Sequence, residues 1–191
     1  MAKMTRIEKF FVNSRTQYYF HRWFVLGKFL NKIPKVSYRS ILEIGAGVGI
    51  TSELLAEQYP MAQILATDFD EDSITVAQRK TFLKNVHFAR EDATRLSLQS
   101  QGFDAVFSIL VLHHIADFQD AISELSRVLK SGGDLYLIDI PLQSFHPFHM
   151  RRYSGLGVFS KQKIIELLEQ NGFSVQDYGG RLIFNLYGKK T

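Results

Sequence analysis

The residues best suited to hold a ligand form one glycine-rich stretch. Residues 41–49 read Ile-Leu-Glu-Ile-Gly-Ala-Gly-Val-Gly, and a helix-like segment follows from Thr51. Glycine tolerates a positive φ and has no Cβ, so the chain can turn tightly and a ligand can lie against bare backbone. Free amides at the start of the helix then favour an acceptor or a partial negative charge. The pattern predicts a strand, a glycine turn and a helix that together form a nucleotide-type site.

The spacing of the glycines distinguishes between cofactors. The dinucleotide fingerprint is G-x-G-x-x-G, whereas this chain has G-x-G-x-G and places Ile50 at the last fingerprint position. A nicotinamide oxidoreductase is therefore disfavoured. A glycine turn alone also occurs for packing reasons, so a second feature is needed.

An acidic residue supplies that second feature. The apolar run 62–67 ends in Asp68, about 20 positions after the glycine turn, which is the offset at which a carboxylate meets a ribose diol. The alternative is that Asp68 caps a loop or starts the next helix.

From Ile41 onward this pattern resembles the class I S-adenosylmethionine-dependent methyltransferases, in particular the small Methyltransferase-11 or ubiquinone/menaquinone methylase type. The resemblance implies that the glycine turn holds the methionine end of S-adenosylmethionine and that Asp68 binds the ribose. It also implies that Phe69 borders the adenine and that Asp92, followed by Ala93, contacts the adenine amino group. The full cofactor-binding set predicted in this way is Glu43, Gly45, Ala46, Gly47, Gly49, Asp68, Phe69, Asp92, Ala93, Ser108 and Ile109.

Catalytic candidates follow the fourth predicted strand. His113 and His114 lie where the resemblance puts the methyl-donor end of the cofactor, and histidine is the base best matched to neutral pH. We place His113 ahead because the first histidine of this motif faces the pocket in related proteins. The alternative is that the pair shapes the loop and caps the next helix. Ser108 and Ile109 are expected to offer backbone carbonyls to the methionine ammonium.

Further polar residues follow the fifth predicted strand, in the stretch 141–159. Loops at the carboxyl ends of parallel strands are where α/β sheets bind ligands. The candidates for contact with the substrate are His146, His149 and Tyr153, with ordinary loop polarity as the alternative.

The absence of several known motifs limits which classes of molecule can be the methyl acceptor. No Asn/Asp-Pro-Pro-aromatic motif follows the fourth strand, so methylation of a nucleobase amino group is disfavoured and a nucleic-acid partner is not expected. The paired glutamates of protein-arginine methyltransferases and the magnesium-binding carboxylates of catechol-type enzymes are absent near residues 108–124. The chain has no cysteine, which excludes disulfides, cysteine-ligated zinc and a covalent cytosine adduct. A small molecule, a quinone or a lipid-like acceptor remains, and no metal is predicted.

Strand and helix patterns alternate from Ile41, which predicts a mostly parallel α/β sheet with helices on both faces. The predicted strands lie near 40–45, 62–67, 85–89, 103–109 and 134–140, and the predicted helices near 50–58, 71–80, 117–130 and 160–170. Two further apolar runs surround Gly179-Gly180 and predict a C-terminal antiparallel hairpin. We expect a Rossmann-like, doubly wound, seven-stranded sheet in a methyltransferase domain over residues 39–191, with Gly132-Gly133 ending the third helix.

Residues 1–38 are both aromatic and basic and form a predicted helical extension. One interpretation is a helix packed on the domain, and the other is a lid over the substrate or a patch that makes peripheral membrane contact. No apolar run reaches the ~18 residues of a membrane span, and no signal-peptide core follows the first residues, so a cytoplasmic location is expected. The net charge of +4 is a weak indication of anionic partners.

The length of 191 residues favours one buried α/β domain. The leading interpretation is a methyltransferase that uses S-adenosylmethionine and modifies a small-molecule, quinone or lipid-like acceptor. The alternative is a non-catalytic S-adenosylmethionine-binding regulatory or partner module.

Overall fold

The structure is a computed structural model that describes residues 36–142, 156–180 and 182–191. Nearly all of the predicted N-terminal extension and the candidates His146, His149 and Tyr153 lie outside the described residues.

Seven strands and four helices follow one another along the described chain, and a helix lies between most pairs of consecutive strands. The strands are β1 (Ser40–Ile44), β2 (Gln63–Asp68), β3 (Val86–Arg90), β4 (Phe103–Ile109), β5 (Leu129–Asp139), β6 (Phe173–Asp177) and β7 (Phe184–Lys190). The helices are α1 (Ile50–Gln58), α2 (Glu71–Lys80), α3 (Phe118–Val128) and α4 (Lys161–Gln170), and a short 3-10 helix covers Leu112–His114. None of the described helices combines the length and the apolar character needed to cross a membrane.

The strands form one sheet in the order β3-β2-β1-β4-β5-β7-β6. The first five strands pair in parallel, and β7 pairs antiparallel with both β5 and β6. The predicted fold class is thereby confirmed, including the C-terminal antiparallel hairpin. The carboxyl ends of β1, β2 and β4 lie side by side, and sites in such sheets form at these ends.

The two faces of the sheet bury two separate apolar clusters, as expected for a doubly covered parallel sheet. One cluster joins Leu42, Val106 and Leu135 to side chains of α3 and α4. The other joins Ile41 and Phe107 to α1 on the opposite face. Alternate residues of each central strand therefore point to opposite faces, which fixes the register.

The boundary between α3 and β5 differs from the prediction. The helix ends at Val128, and Gly132 and Gly133 lie inside β5 instead of ending the helix. The pairing of β4 with β5 shifts between Phe103 and Ala105, and Gly132 has a φ of 70°. The two glycines therefore lie at an irregularity in the strand. Glycine fits there because it tolerates a positive φ and has no side chain.

A buried carboxylate joins the middle of β5 to its neighbours. Asp134 accepts hydrogen bonds from the hydroxyls of Tyr38 and Tyr187, both at 2.7 Å, and from Lys189 Nζ at 2.8 Å. Tyr38 precedes β1, whereas Tyr187 and Lys189 belong to β7, so one side chain joins three parts of the chain. Asp134 is only 2% exposed, so the loss of these hydrogen bonds would leave buried polar groups unpaired and destabilise the fold.

We predict that Asp134→Ala lowers the free energy of unfolding by at least ~2 kcal/mol, because two buried hydroxyls lose a charged acceptor. Chemical denaturation measures the change. The matched control is Asp177→Ala, which breaks a more exposed ion pair with Lys161 and should cost under ~1 kcal/mol. Equal losses in the two variants would refute a special role for Asp134.

Candidate cofactor and active site

The predicted glycine turn joins β1 to α1 at the carboxyl edge of the sheet. Gly45, Gly47 and Gly49 all adopt left-handed backbone conformations, with φ of 66°, 54° and 87°. These angles strain residues that carry a Cβ, which explains glycine at alternate positions. Ala46 N–H donates to Thr67 O at 2.9 Å, so the turn is fastened to the end of β2.

The space around the three glycines differs. A Cβ on Gly45 would lie 2.3 Å from Val111 Cγ2, and one on Gly49 would lie 2.9 Å from Phe88. A Cβ on Gly47 would have no neighbour within 4 Å. Gly45 and Gly49 thus allow close packing, whereas Gly47 presents bare backbone to open space. This arrangement fits a cofactor that lies against the turn.

Asp68 ends β2 beside this turn. Its Oδ2 accepts the Gly47 N–H at 2.8 Å, and its Oδ1 accepts the Asp70 N–H at 2.8 Å. Burial raises the pKa of Asp68, while these backbone donors act in the opposite direction. The carboxylate therefore shapes the loop, as the alternative interpretation held, and it also lies next to the open space at Gly47.

Glu43 lies behind the turn, near the end of β1. Its side chain is 1% exposed, and Ser52 Oγ on α1 donates to Glu43 Oε2 at 2.5 Å. Burial raises the pKa of Glu43 to about 8, and the nearby Asp68 adds to the rise. This predicted cofactor-binding residue thus links the strand to α1 from a buried position.

The predicted adenine-side residues gather at the ends of β2 and β3. The Arg90 guanidinium lies 5.6 Å from the centre of the Phe69 ring, and Arg90 Nε donates to Phe69 O at 3.3 Å. Asp92 Oδ1 accepts the backbone N–H and the hydroxyl of Thr94, at 2.9 and 2.7 Å. Ala93 is buried. Phe69 and Asp92 therefore begin two neighbouring loops, each shaped by local hydrogen bonds.

The end of β4 is fully enclosed. Ser108 and Ile109 are buried, and among the described residues Ser108 Oγ has no hydrogen-bond partner. The next residue, Leu110, has a φ of 59°, and its N–H donates to Ile138 O at 2.7 Å. A left-handed leucine is strained, and such residues concentrate at functional sites. The strained residue turns the chain from the strand into the loop that carries the two histidines.

His113 is held by an aspartate that the sequence interpretation missed. His113 Nδ1 lies 2.5 Å from Oδ1 of Asp139, the last residue of β5. Asp139 is fully buried, and its Oδ2 accepts the N–H groups of Val111 and Leu112, at 3.2 and 2.8 Å. The signal available in the sequence was a carboxylate near the end of the apolar strand predicted at 134–140.

His114 follows on the same 3-10 helix and is more exposed than His113. The two imidazole rings lie 4.0 Å apart between centres. From the other side, the Gly157 N–H donates to His113 O at 3.1 Å, and a Cβ at Gly157 would lie 2.5 Å from Leu112 O. The backbone of the histidine pair is thus enclosed by a tightly packed segment.

Within the ranges that the structure describes, no group of three His, Asp or Glu side chains could hold a metal ion. The described site therefore consists of the glycine turn, the carboxylates of Glu43, Asp68 and Asp92, and the pair of His113 with Asp139.

Comparison with known proteins assigns the chain to a protein family. The methyltransferase domain family Methyltransf_11 matches residues 42–137, which span the glycine turn, both histidines and most of β5. The chain belongs to this family, and the predicted resemblance is confirmed. The family is a methyltransferase domain, which is the class of protein predicted from the sequence.

Individual relatives extend the comparison. The chain is 33% identical to a demethylmenaquinone methyltransferase of Thermus thermophilus over 59% of this chain and 50% of that protein. It is 32% identical to a malonyl-[acyl-carrier protein] O-methyltransferase of Bacillus cereus over 57% of this chain and 40% of that protein. The chain spans about half the length of the curated relatives it matches.

A solved structure supports the fold. A SAM-dependent methyltransferase from Aquifex aeolicus superposes with a TM-score of 0.80 at 20% identity, covering 99% of this chain and 100% of that chain.

We predict that Glu43→Gln changes how stability depends on pH. The folded-state pKa of Glu43 is raised to about 8, above the ordinary value of 4.5, so the folded protein keeps a proton that the unfolded chain releases. The resulting stabilisation is present below about pH 4.5 and is lost as the pH rises through about 8. The amide of the variant cannot titrate, but its oxygen can still accept the hydrogen bond from Ser52.

Denaturation curves of both proteins between pH 5 and pH 9 measure this effect. We expect the wild type to lose stability relative to Glu43→Gln across that range. Parallel pH profiles would contradict a raised pKa at Glu43.

Proposed function

We propose that this protein transfers the methyl group of S-adenosylmethionine to a small-molecule, quinone or lipid-like acceptor. The observation that carries the proposal is the open space over Gly47 beside the Asp68 carboxylate, in a chain of the methyltransferase domain family. S-adenosylmethionine supplies an activated methyl group, so the protein mainly has to bind, align and exclude water.

The cofactor-binding residues are proposed from their positions at the edge of the sheet. The glycine turn receives the methionine end, and the second turn, which begins at Asp68, receives the ribose. Phe69 and Asp92 border the adenine from neighbouring loops. Ser108 and Ile109, buried at the end of β4 beside β1, are proposed to offer their backbone carbonyls to the methionine ammonium. Glu43 and Ala46 support the turn from within the fold.

His113 is the proposed catalytic base, and His114 is the second candidate. His113 is preferred because the buried Asp139 carboxylate holds its ring. A base of this kind is useful when the acceptor must lose a proton, and general-base catalysis typically contributes about 10²- to 10⁴-fold in rate.

The acceptor class is proposed from the relatives and from the amino-terminal composition. The names of two relatives specify demethylmenaquinone and malonyl-acyl-carrier-protein methylation. The aromatic and basic residues 1–38 are proposed to form a helical extension or lid before the domain at 39–191, and Tyr38 at its end is buried against that domain. In this proposal the extension covers the acceptor or contacts a membrane surface that holds it.

Calorimetric titration tests the cofactor. We expect S-adenosylmethionine to bind with a micromolar Kd and NAD not to bind, because the glycine spacing does not match the dinucleotide fingerprint. Binding of NAD alone, or of neither compound, would refute the proposed function.

We predict that Asp68→Ala weakens S-adenosylmethionine binding by about 1.5 to 3 kcal/mol, which is roughly tenfold or more in Kd. The loss combines the proposed ribose contact with the bond that fixes Gly47. The control is Asp72→Ala, which removes an exposed carboxylate four residues further on and should leave the Kd within about twofold. An unchanged Kd in Asp68→Ala would contradict the proposed contact between Asp68 and the ribose.

A further inference from the structure

We infer that Asp139 is a positioning residue that holds His113 in the one tautomer able to take a proton from the methyl acceptor. This inference rests on the proposed methyl transfer and adds a requirement on the acceptor, which must carry a proton that it loses when it is methylated.

The bonding around Asp139 fixes the tautomer of His113. A carboxylate accepts hydrogen bonds and does not donate them, so the nitrogen 2.5 Å from Asp139 Oδ1 must carry the hydrogen. That nitrogen is Nδ1. In the neutral ring the second nitrogen, Nε2, is then left with a lone pair on the opposite edge of the imidazole.

Asp139 is itself held in place from several directions. Besides the imidazole it accepts the N–H groups of Val111 and Leu112 on Oδ2 and of Ile140 on Oδ1. The residue is fully buried, so a rotation of the carboxylate would break these bonds without compensation from water. The orientation of the His113 ring is therefore set by the end of β5 as well as by its own loop.

The same loop lies against the glycine turn. Val111, whose N–H is bound by Asp139, fills the space that a side chain on Gly45 would need. His113 is two residues further along, and 10% of its side chain remains exposed. On the far side Gly157 binds the carbonyl of His113. The imidazole is thus fixed next to the proposed methionine end of the cofactor while part of it stays accessible.

In the proposed methyl transfer, the proton and both electron pairs that move have a defined destination. His113 Nε2 takes the proton of an acceptor O–H group, and the oxygen uses the electron pair left by that proton to bond the methyl carbon. The carbon–sulfur bond breaks and its electron pair stays on the sulfur, which becomes a neutral thioether. His113 leaves the step protonated on both nitrogens and returns the extra proton to solvent. An acceptor without such a proton, for example a tertiary amine, gains nothing from this arrangement.

The first test determines which ring nitrogen of His113 carries the proton. Nitrogen–proton correlation spectra of ¹⁵N-histidine-labelled protein, with and without S-adenosylmethionine, distinguish a proton on Nδ1 from one on Nε2. We expect the Nδ1–H form in the wild type, and a mixture of tautomers in Asp139→Asn, which has one oxygen left for four donors. His113→Gln assigns the signals. A wild-type His113 with its proton on Nε2, or an Asp139→Asn spectrum equal to that of the wild type, would overturn the inference.

The second test separates positioning from folding and from cofactor binding. Asp134→Asn is the matched control, because Asp134 is also buried on β5 and binds several donors, but five residues before Asp139 and away from the histidine loop. With 1,4-naphthohydroquinone as the acceptor probe, we expect Asp139→Asn and His113→Gln to lower kcat by about 10²-fold or more. We expect each to keep the calorimetric Kd for S-adenosylmethionine within about threefold.

The control Asp134→Asn should keep the wild-type kcat below its unfolding temperature. A wild-type kcat in Asp139→Asn would overturn the inference while S-adenosylmethionine binding still supported the proposed function. Failure of the wild type to bind S-adenosylmethionine would refute both.

Discussion

The close contact between Gly45 and Val111 is the constraint on which the site depends. It brings the turn after β1 against the loop after β4, with no room for a Cβ between them. β1 and β4 are neighbours in the sheet, so the two loops leave the same edge side by side. Only glycine meets both demands at position 45, because the backbone there is left-handed as well as crowded. Gly47, with open space around it, follows Gly45 in one loop, and His113, bound by Asp139, follows Val111 in the other.

The two buried aspartates of β5 have different roles. Asp134 lies in the middle of the strand and joins Tyr38, Tyr187 and Lys189 into a network away from the ligand edge. Asp139 lies at the carboxyl end and binds the loop that carries the histidines. Both carboxylates satisfy polar groups that would otherwise be buried without partners. The position along the strand decides whether such a group stabilises the fold or orients a side chain at the site.

Much of the architecture was predictable because the apolar runs of a doubly covered sheet are long and are separated by clear turn signals. The strands near residues 40, 63, 86 and 103 were predicted closely, as was the N-cap of α4 at Ser160, whose hydroxyl accepts the Lys163 N–H. The start of β5 was not, because paired glycines favour a helix end as readily as an irregular strand. Asp139 was missed for a different reason: its partner His113 is distant in sequence, and their contact exists only because β4 and β5 pair in parallel with a defined register.

Packing between the glycine turn and the histidine loop also has a thermodynamic consequence. A ligand that moved Gly45 toward Val111 would press on a residue whose N–H is bound to Asp139, the same carboxylate that binds His113. Linkage then requires reciprocity: whatever factor a first ligand imposes on the affinity for a second, the second imposes on the first. Cooperativity between two ligands in one small domain would thus arise from a van der Waals contact, without any rearrangement of the sheet.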